Sequence, residues 1–406
     1  MENFIANRRK FVANPIAEVH NLANTLSKSG KKVFRLDTGD PAVYFKTPEY
    51  MLNAYKEALS AGNTNYSKSE GSEELKSAVA RRYRRLYGMS ISNDDVIITA
   101  GLSEAFLFLN NALINRNDAA ILFRPYYPPY YTYLKLCEGS EIAGRYDESE
   151  GWQIDIDNLK ATIRKNTKRI KYMLVTNPNN PTGTVLNKNA LRELVDIAND
   201  NGIFLVSDEI YDEITFGDAK FTSIGELAKG MPHMIWNGAS KNFDATGFRI
   251  GFMIIPEADR RSASLKSALS DFALARLSVN TPAEHAVAVG INDTAAHNRA
   301  IKFMVKEIAD RVKHATKLVN ESPYMEAVDP NGAFYIFPRI DLKALHFKTD
   351  NDFVLDLLKS KLVQTRSGSA FGSPGHFRIV SLAPKEILDY AINKINAFCK
   401  ERAAKR

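Results

Sequence analysis

The sequence has 406 residues, 45% hydrophobic and 25% charged, the balance of a soluble globular chain long enough for two or three domains. Its 54 Lys and Arg against 47 Asp and Glu leave a net charge of +7, but these residues are spread along the chain, and the densest run, Arg81–Arg85, reads as a solvated helix face and matches no nucleic-acid motif. Cys137 and Cys399 are its two cysteines and neither has disulfide or metal spacing, no apolar run reaches about 18 residues, and the start has no signal core, so the expected setting is cytoplasmic, without membrane or metal.

Residues 1–47 read as an N-terminal arm carrying one amphipathic helix, Pro15 to Ser29, stopped by Gly30. Over 48–290 helical patterns alternate with short apolar runs. Helices are expected at Glu49–Ala61, Ser72–Tyr87, Ser103–Leu113, Leu191–Asn199 and Ser262–Leu277. Strands are expected at Val96–Thr99, Ala120–Phe123, Ile170–Thr176, Ile203–Ser207 and Met234–Asn237. Several of these runs are apolar throughout, as in strands buried on both faces of a mostly parallel sheet between helices. That makes a large α/β domain. After Pro282 one long helical pattern runs to about Asn320. Strand-like Ala333–Phe337 and His376–Leu382 flank a helix at Asp352–Lys361, and a last helix covers Lys385–Glu401. Residues 291–406 therefore read as a smaller α+β domain, with the arm packing against it.

Open α/β sheets bind ligands at the carboxyl ends of their strands, so the residues just after each apolar run are the ones to inspect. Val96–Thr99 is followed by Gly101-Leu102-Ser103 and a helix, a phosphate cradle, although Ser103 alone is equally an N-cap. Ala120–Phe123 is followed by a proline-stiffened aromatic loop, Tyr126–Tyr130, which offers a stacking surface or merely a hydrophobic plug. Ile170–Thr176 leads into Asn177–Gly183, dense in turn formers, with Asn180 as a hydrogen-bonding amide. Asp208 leaves Ile203–Ser207 as a carboxylate that is costly to bury without a partner, and Tyr211 follows it. Met234–Asn237 leads to Lys241, beside small residues and eight positions before Arg249; such a lysine can form imines, and Arg249 can grip a phosphate in two-pronged fashion. Each feature alone has an ordinary structural reading. Five successive strand ends supplying a cradle, an aromatic plate, an amide, a carboxylate and a lysine do not.

The segments NPNNPTG (Asn177–Gly183), SDEIY (Ser207–Tyr211) and NGASKNFDATGFRIG (Asn237–Gly251) resemble the class I aminotransferases, fold type I enzymes that depend on pyridoxal 5'-phosphate. The likeness spans nearly the whole chain and includes Leu36–Pro41, Tyr66–Gly71, Asn331–Phe337 and Phe377–Ile379. It implies Lys241 as the Schiff-base lysine and proton shuttle, Asp208 as partner of the pyridine nitrogen, and Tyr211 and Asn180 as partners of the cofactor's phenolate oxygen. Tyr127 falls where the family stacks an aromatic residue. Gly101, Leu102 and Ser103 fall on the phosphate turn, and Arg249 on the phosphate arginine. Tyr66 matches a tyrosine that reaches the neighbouring subunit's phosphate, which implies a homodimer. Arg378 and Gly39 match the contacts to the substrate α-carboxylate. Gly238 departs from the pattern, since many relatives carry a serine there.

YYPPY (Tyr126–Tyr130), Tyr66–Gly71 and Gly151–Ile156 are similar to the alanine aminotransferase branch of archaea and bacteria, which points to alanine with 2-oxoglutarate. Arg276 is the candidate cation for a distal carboxylate, against the plainer reading of a surface-helix arginine. Aspartate as donor, and a β-lyase on the same scaffold, are the alternatives. A PLP-binding regulator would need a DNA-binding module ahead of Leu36–Pro41, where the chain is too short.

Overall fold

The structure is a computed structural model describing residues 4–12, 16–166 and 168–405. Its central sheet has eight strands: β1 (Val96–Thr99), β2 (Ala119–Arg124), β3 (Ser140–Asp147), β4 (Gln153–Ile154), β5 (Ile170–Thr176), β6 (Phe204–Asp208), β7 (His233–Gly238) and β8 (Gly251–Ile254). Their spatial order is β1-β8-β7-β6-β5-β2-β3-β4. Strands β2, β3, β5, β6 and β7 are parallel. β8 runs antiparallel between β1 and β7, and β4 antiparallel to β3.

Every residue of β1, β6, β7 and β8 is buried, because helices cover both faces of the sheet; this is why these runs lack a polar alternation. Successive side chains feed opposite cores. Met173, Leu205 and Ile235 enter one, and their neighbours Leu174, Val206 and Met234 enter the other.

A separate core gathers the C-terminal elements. Met304, Ile308 and Val312 of the helix Thr294–Asn320 pack there with Phe353, Ile379 and Ile392, and the arm adds Val19, Ala23 and Leu36. Its three-stranded antiparallel sheet has the order β9 (Tyr335–Ile336), β11 (Phe377–Val380), β10 (Arg366–Ser367). Phe34–Arg35 pairs in parallel with Val363–Gln364 and ties the arm to this unit.

The single long helix expected after Pro282 is two helices, Thr281–Asn292 and Thr294–Asn320. Asp293 parts them, its carboxylate accepting from Ala296 N at 3.0 Å, an N-cap bond that starts the second helix. Ala283, Val287 and Ile291 before it belong to the sheet's core. The arm helix is described from Ile16 to Lys28; its expected first residue, Pro15, lies outside the described residues.

Candidate active site

The carboxyl ends of the parallel strands, the 36–41 segment and β9–β11 enclose a cavity of about 300 Å³, the lower end of the range for small-molecule sites. Of the residues singled out by sequence, Gly39, Leu102, Ser103, Tyr127 and Asn180 line it. So do Asp208, Tyr211, Lys241, Arg249 and Arg378.

Lys241 sits on the short helix Ala239–Asn242 directly after β7. Its amine donates to the Gly39 carbonyl at 2.6 Å. Burial, which disfavours the ammonium, brings its pKa down to about 8; Arg378 and Arg249 push the same way and Asp40 opposes them.

Asp208 ends β6 and is buried. Its Oδ2 accepts from Tyr130 Oη at 2.6 Å and its Oδ1 from Ile210 N at 3.1 Å. Burial raises its pKa to about 6 against those hydrogen bonds and the charge of Lys241. Tyr130 also shares a 3.0 Å hydrogen bond with Thr176, at the end of β5.

Arg378, on β11, donates to Asn180 Oδ1 at 2.8 Å and to the Asp37 carbonyl at 2.5 Å. Its guanidinium lies 4.7 Å over the Tyr335 ring and 4.9 Å over Phe371. Tyr335 Oη in turn meets Tyr211 Oη at 2.6 Å. Lys241 and Arg378 thus touch the same backbone segment two residues apart.

At the start of the helix Leu102–Leu113, Gly101 has φ 74°, and a Cβ there would stand 2.2 Å from Arg249 Nη2. The glycine is what lets Arg249 lie across the helix N-terminus, where backbone N–H groups lack intrahelical partners and the dipole favours an anion. The departure at Gly238 also has a local cause. A Cβ on it would come within 2.7 Å of the Ile250 carbonyl and 2.9 Å of Gly251 Cα, because Gly238 and Gly251 are paired directly across β7 and β8.

Tyr66 is 75% exposed and stands apart from the cavity. Arg276 is outside it as well: its Nη2 donates to the carbonyls of Ser69 and Ile98 at 3.0 and 3.1 Å, and Glu104 lies 3.6 Å from its Nε. Other cavity residues had no role in the sequence reading, Tyr130, Tyr335 and Arg366 among them. Tyr130 stands one helical turn from Tyr127, a spacing that signals a shared face. Tyr335 was inside a quoted motif but had no role there, and Arg366 of β10 carried no signal.

The family model for class I and II aminotransferases matches residues 31–395. The chain belongs to this family. The aminotransferase is 33% identical over 384 residues to an alanine aminotransferase of Mycobacterium tuberculosis, covering 94% of this chain and 88% of that one. It is 31% identical to the glutamate-pyruvate aminotransferase AlaA of Escherichia coli, covering 93% and 92% of the two chains. The solved alanine aminotransferase from Pyrococcus furiosus superposes with a TM-score of 0.93 at 38% identity, covering 98% of this chain and all of the other, 100%. The protein is a pyridoxal-phosphate-dependent aminotransferase acting on amino acids and 2-oxo acids.

The cavity suits that cofactor. It offers a glycine-opened cradle with an arginine for a phosphate, a half-buried amine of lowered pKa for an aldehyde, and a buried carboxylate whose raised pKa marks the want of a close cation. The amine's pKa makes a testable difference. At pH 7 about one-tenth of Lys241 is the neutral nucleophile, against roughly one in 3,000 for an ordinary lysine. The rate at which the apoprotein's Lys241 captures added pyridoxal 5'-phosphate is expected to rise with pH and reach half its maximum near 8, not near 10.5. Stopped-flow absorbance measures it, and a rate still climbing steeply above pH 9.5 would contradict the lowered pKa.

Proposed function

We propose that this aminotransferase moves the amino group between L-alanine and 2-oxoglutarate in a ping-pong cycle. The observation that carries the reading is the convergence of Lys241 and Arg378 on one segment, through the carbonyls of Gly39 and Asp37. An amino acid gripped there by its α-carboxylate presents its α-hydrogen on the side of the lysine amine. The preference for alanine is supported by the alanine and glutamate-pyruvate aminotransferases among the relatives, which are 31–38% identical, above the 30% of an aspartate aminotransferase of Geobacillus stearothermophilus.

Pyridoxal 5'-phosphate, when bound, supplies an electrophilic carbon and a ring that takes up negative charge from the substrate's α-carbon. Lys241 would hold it covalently and, as a free neutral amine, would move the substrate's α-proton. Asp208, its carboxylate directed by Tyr130 and Ile210 N, would keep a proton on the ring nitrogen. Tyr211 and Asn180 would hydrogen-bond to the ring's phenolate oxygen, and Tyr127 would offer a stacking surface for the ring. Arg249 and the Gly101–Ser103 turn at the helix N-terminus would hold the phosphate. Arg378, stacked on two rings and anchored by Asn180, is pre-set for a carboxylate, and Gly39 adds a backbone contact. Tyr66, on the exposed surface, extends to the phosphate of a second copy in a homodimer.

The test is to mix the purified enzyme with single amino acids and follow pyruvate and glutamate. Alanine plus 2-oxoglutarate is expected to give both products with parallel double-reciprocal lines. Faster oxaloacetate from aspartate would replace the alanine assignment. Pyruvate and ammonia without a 2-oxo acid would replace transamination by β-elimination.

A further inference from the structure

Arg366 has no part in the assignments above. Its Cα partner across the antiparallel ladder of β10 and β11 is Arg378. Directly opposed residues project from the same face with Cβ atoms about 5 Å apart, and like charges placed so destabilise the pair. Both guanidinium groups line the cavity of Lys241.

Arg378 is engaged by two short hydrogen bonds and two aromatic faces. Arg366 is not. Its nearest carboxylate, Asp37, stands 3.8 Å from its Nη2, and the same Oδ2 already accepts from Gln364 Nε2 at 3.0 Å. Arg366 Nε is buried without a hydrogen-bond partner. One loosely placed carboxylate therefore faces two guanidinium groups, an excess positive charge the chain does not neutralise. Burial first, and then the charge of Arg378, lower the Arg366 pKa to about 10. The group stays charged at neutral pH and gains from a nearby anion.

Position narrows what that anion is. Arg366 also lines a larger groove of about 1010 Å³, together with Ser103 and Tyr127, whereas Arg378 faces the cavity alone. A substrate held by its α-carboxylate on Arg378 and extending toward the groove passes Arg366. Arg276, the cation suggested by sequence, lines neither the cavity nor this groove.

We propose that Arg366 is the specificity-determining residue that binds the distal carboxylate of the dicarboxylic amino acid and 2-oxo acid. The inference rests on the transamination reading and names the residue that admits its dicarboxylic half.

The test uses the holoenzyme and two variants, Arg366→Gln and Arg366→Lys, with kcat/KM measured for each substrate. In Arg366→Gln, kcat/KM for glutamate and 2-oxoglutarate is expected to fall about 10- to 100-fold more than for alanine and pyruvate, as for loss of one partner of a half-buried charge pair. Arg366→Lys restores part of that ratio. Calorimetry adds a readout that needs no turnover: the unmodified holoenzyme binds glutarate at least about tenfold tighter than butyrate, and Arg366→Gln loses the preference. An equal fall for alanine and glutamate overturns the proposal and leaves the transaminase reading standing. If Arg366→Gln does not fold, a wild-type enzyme that binds butyrate as tightly as glutarate overturns it. An enzyme inert toward alanine with 2-oxoglutarate sinks the functional reading instead, while the glutarate preference still tests Arg366.

Discussion

Lys241→Ala is expected to abolish transamination, with a fall in kcat of at least about 10⁴-fold, because proton transfer by a positioned group is itself worth up to that factor and the covalent anchor goes with it. Lys241 is the one lysine lining the cavity among the described residues, so no neighbour can take its place. Its 2.6 Å bond to the Gly39 carbonyl aims the amine at the segment that also receives Arg378, a geometry that a soluble amine in solution does not reproduce. Lys241→Arg is expected to be as inactive as the alanine variant, since a guanidinium keeps the positive charge but stays protonated. Stopped assays for pyruvate and glutamate measure the loss, and the visible absorbance of the lysine-linked cofactor disappears with it. Ping-pong turnover surviving in Lys241→Ala would remove Lys241 from its role.

Most strands buried on both faces were legible in the sequence, and the half-buried β3 was not. β1, β5, β6 and β7 were placed within about a residue because continuous apolar runs bounded by turns have few other readings. β3, Ser140–Asp147, went unseen: most of it is half-buried and it carries Glu141 and Arg145, so neither a run nor an alternation appears. The antiparallel β8, four residues long, was absorbed into the motif ahead of it. The helix break at Asp293 escaped because neither Gly nor Pro marks it. The site divides along a different line. Residues whose chemistry is in the side chain and whose place is a strand end were found by position. Gly39 and Asp37 act through carbonyls, which every residue has, and Tyr335 and Arg366 reach the cavity only because β9–β11 fold over it. Their two-residue strands are too short to show a period. Tyr66 and the second copy it implies cannot be read from the cavity at all.

Asp208→Asn is expected to lower kcat about 10²- to 10⁴-fold while leaving the fold and the attachment at Lys241 in place. The carboxylate is 3% exposed, and its hydrogen bonds from Tyr130 and Ile210 N fix it without neutralising it. Burial outweighs both bonds and the pull of Lys241, and so raises the pKa to about 6. A cation delivered by the cofactor ring relieves that strain, and removing one partner of such a buried pair costs about 3–5 kcal/mol, which is about two to four decades in rate. Asparagine keeps the shape and can still accept from Tyr130, so what it removes is charge. Below the Asp208 pKa the wild-type carboxyl loses that charge too, so activity falls as pH drops. Because a bound cation favours the carboxylate, this acid limb lies at or below pH 6. Asp208→Asn has no carboxyl to protonate there, and its low activity is expected to lack the limb. A variant with near-normal kcat, or one that keeps the wild-type acid limb, would place the working charge on another residue.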